Sequence, residues 1–91
     1  MRKLKERSLY RHFKGEFYYV EKIIKHTETG EDLVLYQALY GNKKSYARPL
    51  DMFLEEVPKD KENPTGQKYR FENMDNLGKK MIELEKIAKS K

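Results

Sequence analysis

The chain contains no cysteine and no tryptophan. The first absence excludes disulfides, thiolate nucleophiles and thiolate metal sites together. The second leaves Tyr and Phe as the bulky aromatic residues, and Tyr outnumbers Phe seven to four. Tyr brings apolar area, but its hydroxyl needs a partner or water once buried, so the expected core has a wet margin. Long apolar runs are also missing, and none approaches the roughly 18 residues that a membrane span needs. Met1–Arg7 is basic, but no apolar segment follows it, so no secretory signal is expected and the cytoplasm is the expected compartment. Catalytic signatures are scarce. Ser8, Ser45 and Ser90 lack the flanking glycines of a nucleophile elbow, and there is no Gly-rich phosphate loop. Glu55 and Glu56 are adjacent, so in a strand they face opposite ways and make no carboxylate dyad.

What is present fits one small domain. With 91 residues there is room for a single core. Only 37% of residues are hydrophobic against 38% charged, but 12% are aromatic, which is enough for a packed interior. The net charge of +5 is unevenly placed. Residues 1–14 hold six Lys or Arg against Glu6 alone, whereas residues 15–72 hold nine basic and eleven acidic side chains. The basicity therefore belongs to the ends. A basic N-terminal arm over residues 1–8 attracts an anionic partner within about 8 Å at physiological salt, or is simply a solvated terminus.

Hydrophobic patterning predicts a mainly β fold. Residues 1–8 are polar and read as a frayed turn or as nothing fixed, with order beginning at Leu9–Phe13 and a turn at Lys14-Gly15-Glu16. Phe17–His26 is rich in β-branched and aromatic residues and reads as a strand. Strict alternation puts Tyr18, Val20, Lys22, Ile24 and His26 on one face, and Phe17, Tyr19 and Ile23 on the other. A polar loop follows at Thr27–Glu31, and Asp32–Tyr40 returns as a strand with Val34, Tyr36, Ala38 and Tyr40 on one face. Gly41-Asn42 reads as a two-residue hairpin turn, Lys43–Arg48 as a third strand, and Leu50–Leu54 after Pro49 as a single 3₁₀ turn. Glu55–Val57 and Tyr69–Phe71 read as short strands on either side of Pro58–Lys68, an exposed loop without apolar side chains apart from its prolines. The body thus spans residues 9–72. Residues 73–91 form an amphipathic helix whose stripe is Met74, Leu77, Met81, Leu84 and Ala88. That stripe packs on the body or serves as a homodimer seam.

Three constellations carry chemistry. Tyr10-Arg11-His12-Phe13-Lys14-Gly15 sets Tyr10, His12 and Lys14 on one face of an extended segment, where they suit a phosphate or carboxylate with stacking beside it. His12 and His26, with a carboxylate such as Glu28, are the nearest approach to a metal site, but two His make no closed structural site alone. Neither a metal nor a cofactor is expected. Arg48, after Tyr46 and before Pro49, is held extended and suits a ligand anchor or an ion pair with Asp51 or Glu55.

Across Tyr10–Val57 the chain resembles the bacterial family of domains of unknown function numbered 1653 (DUF1653). The likeness rests on Tyr10–Gly15, on Tyr18 with Val20, on His26–Thr29 leading into Leu33–Gly41, and on Arg48-Pro49-Leu50 with Met52-Phe53. The resemblance implies a small β-rich domain and points to Tyr10, Arg11, His12, Lys14, His26, Tyr36, Arg48 and Pro49. Three features depart from it. Lys22 stands where a small residue is favoured, Tyr46-Ala47 replaces Trp-Val, and the arm and helix extend beyond the motif. Lys22 leads us to expect that the Val20 face is not wholly buried.

The expected architecture is a small SH3-like antiparallel barrel or curled sheet with a C-terminal α-helix. The expected function is a non-enzymatic binding module for an anionic ligand, either nucleic acid or an acidic peptide. Tyr10, Arg11, His12, Lys14, His26, Tyr36 and Arg48 would form its rim. Docking or dimerisation through the helix is the alternative. An enzyme using His12 or His26 as base, with Arg48 holding an oxyanion, is the third.

Overall fold

A computed structural model describes residues 2–75. Five strands and one helical turn follow in the order β1 (Ser8–His12), β2 (Phe17–Lys25), β3 (Asp32–Ala38), β4 (Ser45–Pro49), α1 (Leu50–Phe53) and β5 (Phe71–Asn73). They make one antiparallel sheet in the order β4-β3-β2-β1-β5. The fold is mainly β, as the patterning predicts. The sheet curls but does not close: β4 and β5 are its two edges, and no backbone pairing joins them. This corrects the closed barrel in favour of the curled sheet. The helix expected over residues 73–91 does not begin at Asn73, which pairs with Tyr10 as the last residue of β5. Leu77, Met81, Leu84 and Ala88 of its stripe, and with them the homodimer seam, lie outside the described residues.

Sequential hairpins build the sheet because each turn has the residue it needs. Gly15 closes the β1–β2 turn with φ +113°, a conformation that side chains with a Cβ resist. Its N–H donates to His12 O at 2.8 Å, and the His12 N–H donates to Glu16 O at 2.8 Å. The β3–β4 connection is longer than a two-residue turn. Ala38 N–H donates to Lys44 O and Lys43 N–H to Tyr40 O, so Leu39 and Tyr40 belong to the loop. The helical turn is α rather than 3₁₀, since Leu54 N–H donates to Leu50 O four residues back at 3.1 Å.

One irregularity rearranges the faces of β2. Val20 pairs with Tyr36 and Lys22 with Leu35, leaving Glu21 as the extra residue of a β-bulge. Beyond it the parity flips. Ile23 now pairs with Val34 and shares the core face, whereas Lys22 and Ile24 turn outward with Leu35 and Leu33. Lys22 therefore leaves Val20 alone, and Val20 is fully buried at 0% exposure. The strict alternation expected for Lys22, Ile24 and His26 fails at this residue.

The core is a single cluster of Tyr10, Tyr18, Val20, Val34, Tyr36, Ala38, Phe53 and Phe71, with Leu4, Leu50 and Leu54 packed against it. Phe53 and Phe71 stack with ring centroids 4.1 Å apart and planes 6° apart. Tyr36 stands edge-on to both, at 5.2 Å from Phe53 and 5.5 Å from Phe71. The last strand starts where the expected Tyr69–Phe71 strand ends, and Tyr69 makes only an isolated bridge to Glu56.

The N-terminal arm lies against this body and forms no helical turn. Arg2 donates to Leu54 O at 2.8 Å and to Phe71 O at 2.7 Å, and its guanidinium sits 3.8 Å over the Tyr69 ring. Glu6 accepts from Ile23 N–H at 3.0 Å, and Arg7 N–H donates to the bulge carbonyl of Glu21 at 3.2 Å. The loop 58–68 is also pinned. Gln67 is buried, accepts from Arg11 Nε at 2.6 Å and donates to Arg11 O at 3.0 Å.

Because Phe53 is wholly buried and meets Tyr10, Tyr36 and Phe71, Phe53→Ala is expected to cost about 3–5 kcal/mol of unfolding free energy. A shift in the urea midpoint checks this. A loss under about 1 kcal/mol would place the core elsewhere.

Candidate functional site

The seam between the two sheet edges carries the candidate residues that come together. β1 ends on His12, whose ring lies 4.9 Å from Phe71 and 6.3 Å from Tyr18. Across the seam, Arg48 on β4 donates from Nε to the Tyr36 hydroxyl at 3.3 Å, with its guanidinium 6.0 Å from the Phe71 ring centroid. Register puts Arg48 opposite Val34 and Tyr46 opposite Tyr36, so both project onto the core face of the sheet. The Tyr46 ring packs on Tyr36 at 5.8 Å. Tyr18 and Tyr40 share a hydrogen bond between hydroxyls at 2.6 Å, their rings at 85°. His12, Tyr36 and Arg48 are thus gathered around Phe71, bordered by Tyr18, Tyr40 and Tyr46.

The other candidates are elsewhere. Tyr10 is buried, its hydroxyl accepting from Lys5 N–H at 3.0 Å, so it is a core residue. Arg11 is taken up by Gln67. Lys14 is exposed, and its N–H donates to His12 Nδ1 at 3.2 Å. His26 follows the far end of β2, where its Nδ1 accepts from the N–H groups of Glu28 at 3.1 Å and Thr29 at 3.3 Å. It caps a loop and joins neither His12 nor Arg48. A His12–His26–Glu28 metal site is thereby excluded by geometry. Among the described residues no three His, Asp or Glu side chains come together for a metal. No helix among them is long and apolar enough to cross a membrane.

The electrostatics of the seam are one-sided. Arg48 has no carboxylate within ion-pair distance among the described residues, so neither Asp51 nor Glu55 is its partner. Arg70 instead takes Glu55, at 2.8 Å. Burial pushes His12 down to about 4. Glu16 opposes that shift, whereas Arg70, Lys14 and Arg48 add to it. His12 is therefore neutral near pH 7, and the Lys14 N–H at Nδ1 leaves Nε2 as its protonated nitrogen. Burial, then the Tyr40 hydroxyl, pushes the Tyr18 phenol up. A larger groove of about 960 Å³ lies under the arm, floored by Leu4, Leu50 and Leu54. Five carboxylates (Glu31, Asp32, Asp51, Glu55 and Glu56) line it against three cations (Arg2, Lys3 and Lys68), so its net charge is negative and favours an anion less than the seam does.

The family of proteins of unknown function DUF1653 matches residues 8–73, the span from the first residue of β1 to the last of β5. The chain belongs to this family. The DUF1653 match thus takes in β5 and Phe71, beyond the Val57 limit of the resemblance read from the sequence, and leaves out most of the arm and the C-terminal segment. A crystal structure of a DUF1653 protein from Bordetella bronchiseptica is similar, with a TM-score of 0.60 at 29% identity. The likeness covers 74% of this chain and 83% of that one. Among curated proteins none matches.

Tyr18, Tyr40, Tyr46 and Phe71 are the seam residues that sequence reasoning left out of the site. The period-2 run Lys44, Tyr46, Arg48 was the available signal.

His12 titrates near 4 in the folded chain but near 6.5 when unfolded, so the unfolded state binds the extra proton between those values. Stability should therefore fall as pH drops from about 6.5 towards 4, and His12→Gln should flatten that limb. Urea unfolding across the range checks the slope. An NMR midpoint for His12 near 6.5 would contradict it.

Proposed function

We propose that this domain is a non-enzymatic binding module whose ligand is anionic and sits at the seam between β4 and β5. The observation that carries the reading is Arg48, a half-buried guanidinium held by the Tyr36 hydroxyl, with no carboxylate partner among the described residues. Its Nη groups remain for a bidentate contact with phosphate or carboxylate. The neutral His12 adds a donor without a second buried charge, and the surrounding rings supply apolar walls. A histidine held near 4 is a weak base at neutral pH, and His26 stands apart, which argues for binding over acid–base catalysis. The strand order with its one-turn helix also suits an opened SH3-like barrel, a likeness that carries no function by itself.

Titration with inorganic polyphosphate at low salt tests the reading. Wild-type protein should bind, with affinity falling as salt rises. Arg48→Gln should weaken binding about tenfold or more, and Arg48→Lys should recover part of it, because charge returns without the fork. No binding at low salt by a folded wild-type protein would overturn the proposal.

A further inference from the structure

We propose that the anion is the backbone of a single-stranded nucleic acid laid along β4, with one base held between Tyr40 and Tyr46. This rests on the anion-binding reading above and names its ligand. Among the described residues β4 is a free sheet edge. Its core-facing positions are Tyr46 and Arg48, and the ladder bond from Ala38 N–H to Lys44 O carries the alternation back to Lys44. One edge therefore presents cation, aromatic and cation in turn, at a repeat of about 6.8 Å for every two residues. Beside it, Tyr40 and Tyr46 wall a hollow of about 210 Å³ with Ala38, Asn42 and Lys44. That is smaller than the roughly 300 Å³ of a drug-sized site, and it suits one flat ring rather than a folded ligand. Both tyrosines are exposed, at 42% and 43%, so their rings are available for stacking. Tyr40 is steadied by its hydroxyl bond to Tyr18, and Tyr46 by its packing on Tyr36.

An acidic peptide would use Lys44 and Arg48 but has no systematic use for two exposed rings. A single strand uses both, since every base has a face to stack and every link carries a phosphate. Duplex DNA keeps its bases stacked on each other and offers nothing to the hollow. The order of affinity is therefore single strand, then polyphosphate and duplex.

The experiment compares a short fluorescent oligothymidylate, the same sequence as duplex, a polyglutamate peptide and polyphosphate of matched charge. The oligothymidylate should bind roughly tenfold tighter than the other three. Tyr46→Ala should remove that advantage and Tyr46→Phe should keep it within about twofold, because stacking needs the ring and not the hydroxyl. Lys44→Gln should lower the slope of log K against log salt by about 0.7, the increment for each phosphate that a protein neutralises on a single strand. Equal binding of single strand and polyphosphate, tighter binding of duplex or polyglutamate, or no effect of Tyr46→Ala would overturn this inference while leaving the anion site standing. Failure of every anion to bind would remove both.

Discussion

The stack of Phe53 on Phe71 is the contact that the rest of the structure depends on. Four neighbouring pairings join all five strands through backbone hydrogen bonds, but β4 and β5 share none with each other. An open sheet of this size has two edges and a strong twist, and something other than backbone must bring the edges round. α1 follows β4 directly, so Phe53 is carried from one edge; Phe71 begins the other. Their rings meet face to face at 4.1 Å, and Tyr36 and Tyr10 close edge-on around Phe53. The curl is therefore fastened by side chains, not by a ladder.

That choice leaves the seam chemically available. A closed barrel would occupy the backbone groups of β4 and cover Arg48 and Tyr46 with a neighbouring strand. Here Arg48 reaches over Phe71 from an unpaired edge, and His12 approaches from the other side. The same packing that buries Phe71 desolvates His12 and holds its imidazole neutral, so the seam has one positive charge rather than two in close contact. The second charge of the proposed site, Lys44, stands at the open end of β4, where solvent screens it.

The strands were legible because β-branched and aromatic residues alternate over Phe17–Lys25 and Asp32–Ala38, and the hairpin glycines mark their ends. The bulge at Glu21 was not legible. Val20, Glu21, Lys22 and Ile23 contain no glycine, and only the pairing partner reveals which residue is extra. Arm and loop misled for a different reason. Arg2, Glu6 and Gln67 are polar, and composition assigns polar segments to solvent, yet each satisfies a backbone group of the sheet or its connections. The motif Tyr10–Gly15 mixed two roles within one strand: alternate residues face the core and Gln67, so Tyr10 and Arg11 are structural while His12 ends at the seam. Nothing local separates His12 from His26; the separation comes from their lying at opposite ends of the β1–β2 and β2–β3 hairpins.

The preference for Tyr over Phe gives the core its connections. Each of the three core tyrosines ends in a hydroxyl that needs a partner, and each finds one on a different segment: Tyr10 on Lys5 of the arm, Tyr18 on Tyr40 of the β3–β4 loop, and Tyr36 on Arg48 of β4. A phenylalanine core of the same volume would pack as well but would lose these three hydroxyl bonds, leaving the segments to their backbone pairings and remaining side-chain contacts. Two of the three tethers end on residues of the proposed site. The Tyr36 hydroxyl aims Arg48, and the Tyr18 hydroxyl fixes the ring of Tyr40. The polar rims of the core tyrosines thus hold in place the groups that would otherwise be the most mobile side chains of an exposed edge, which reduces the ordering entropy that an incoming ligand must overcome.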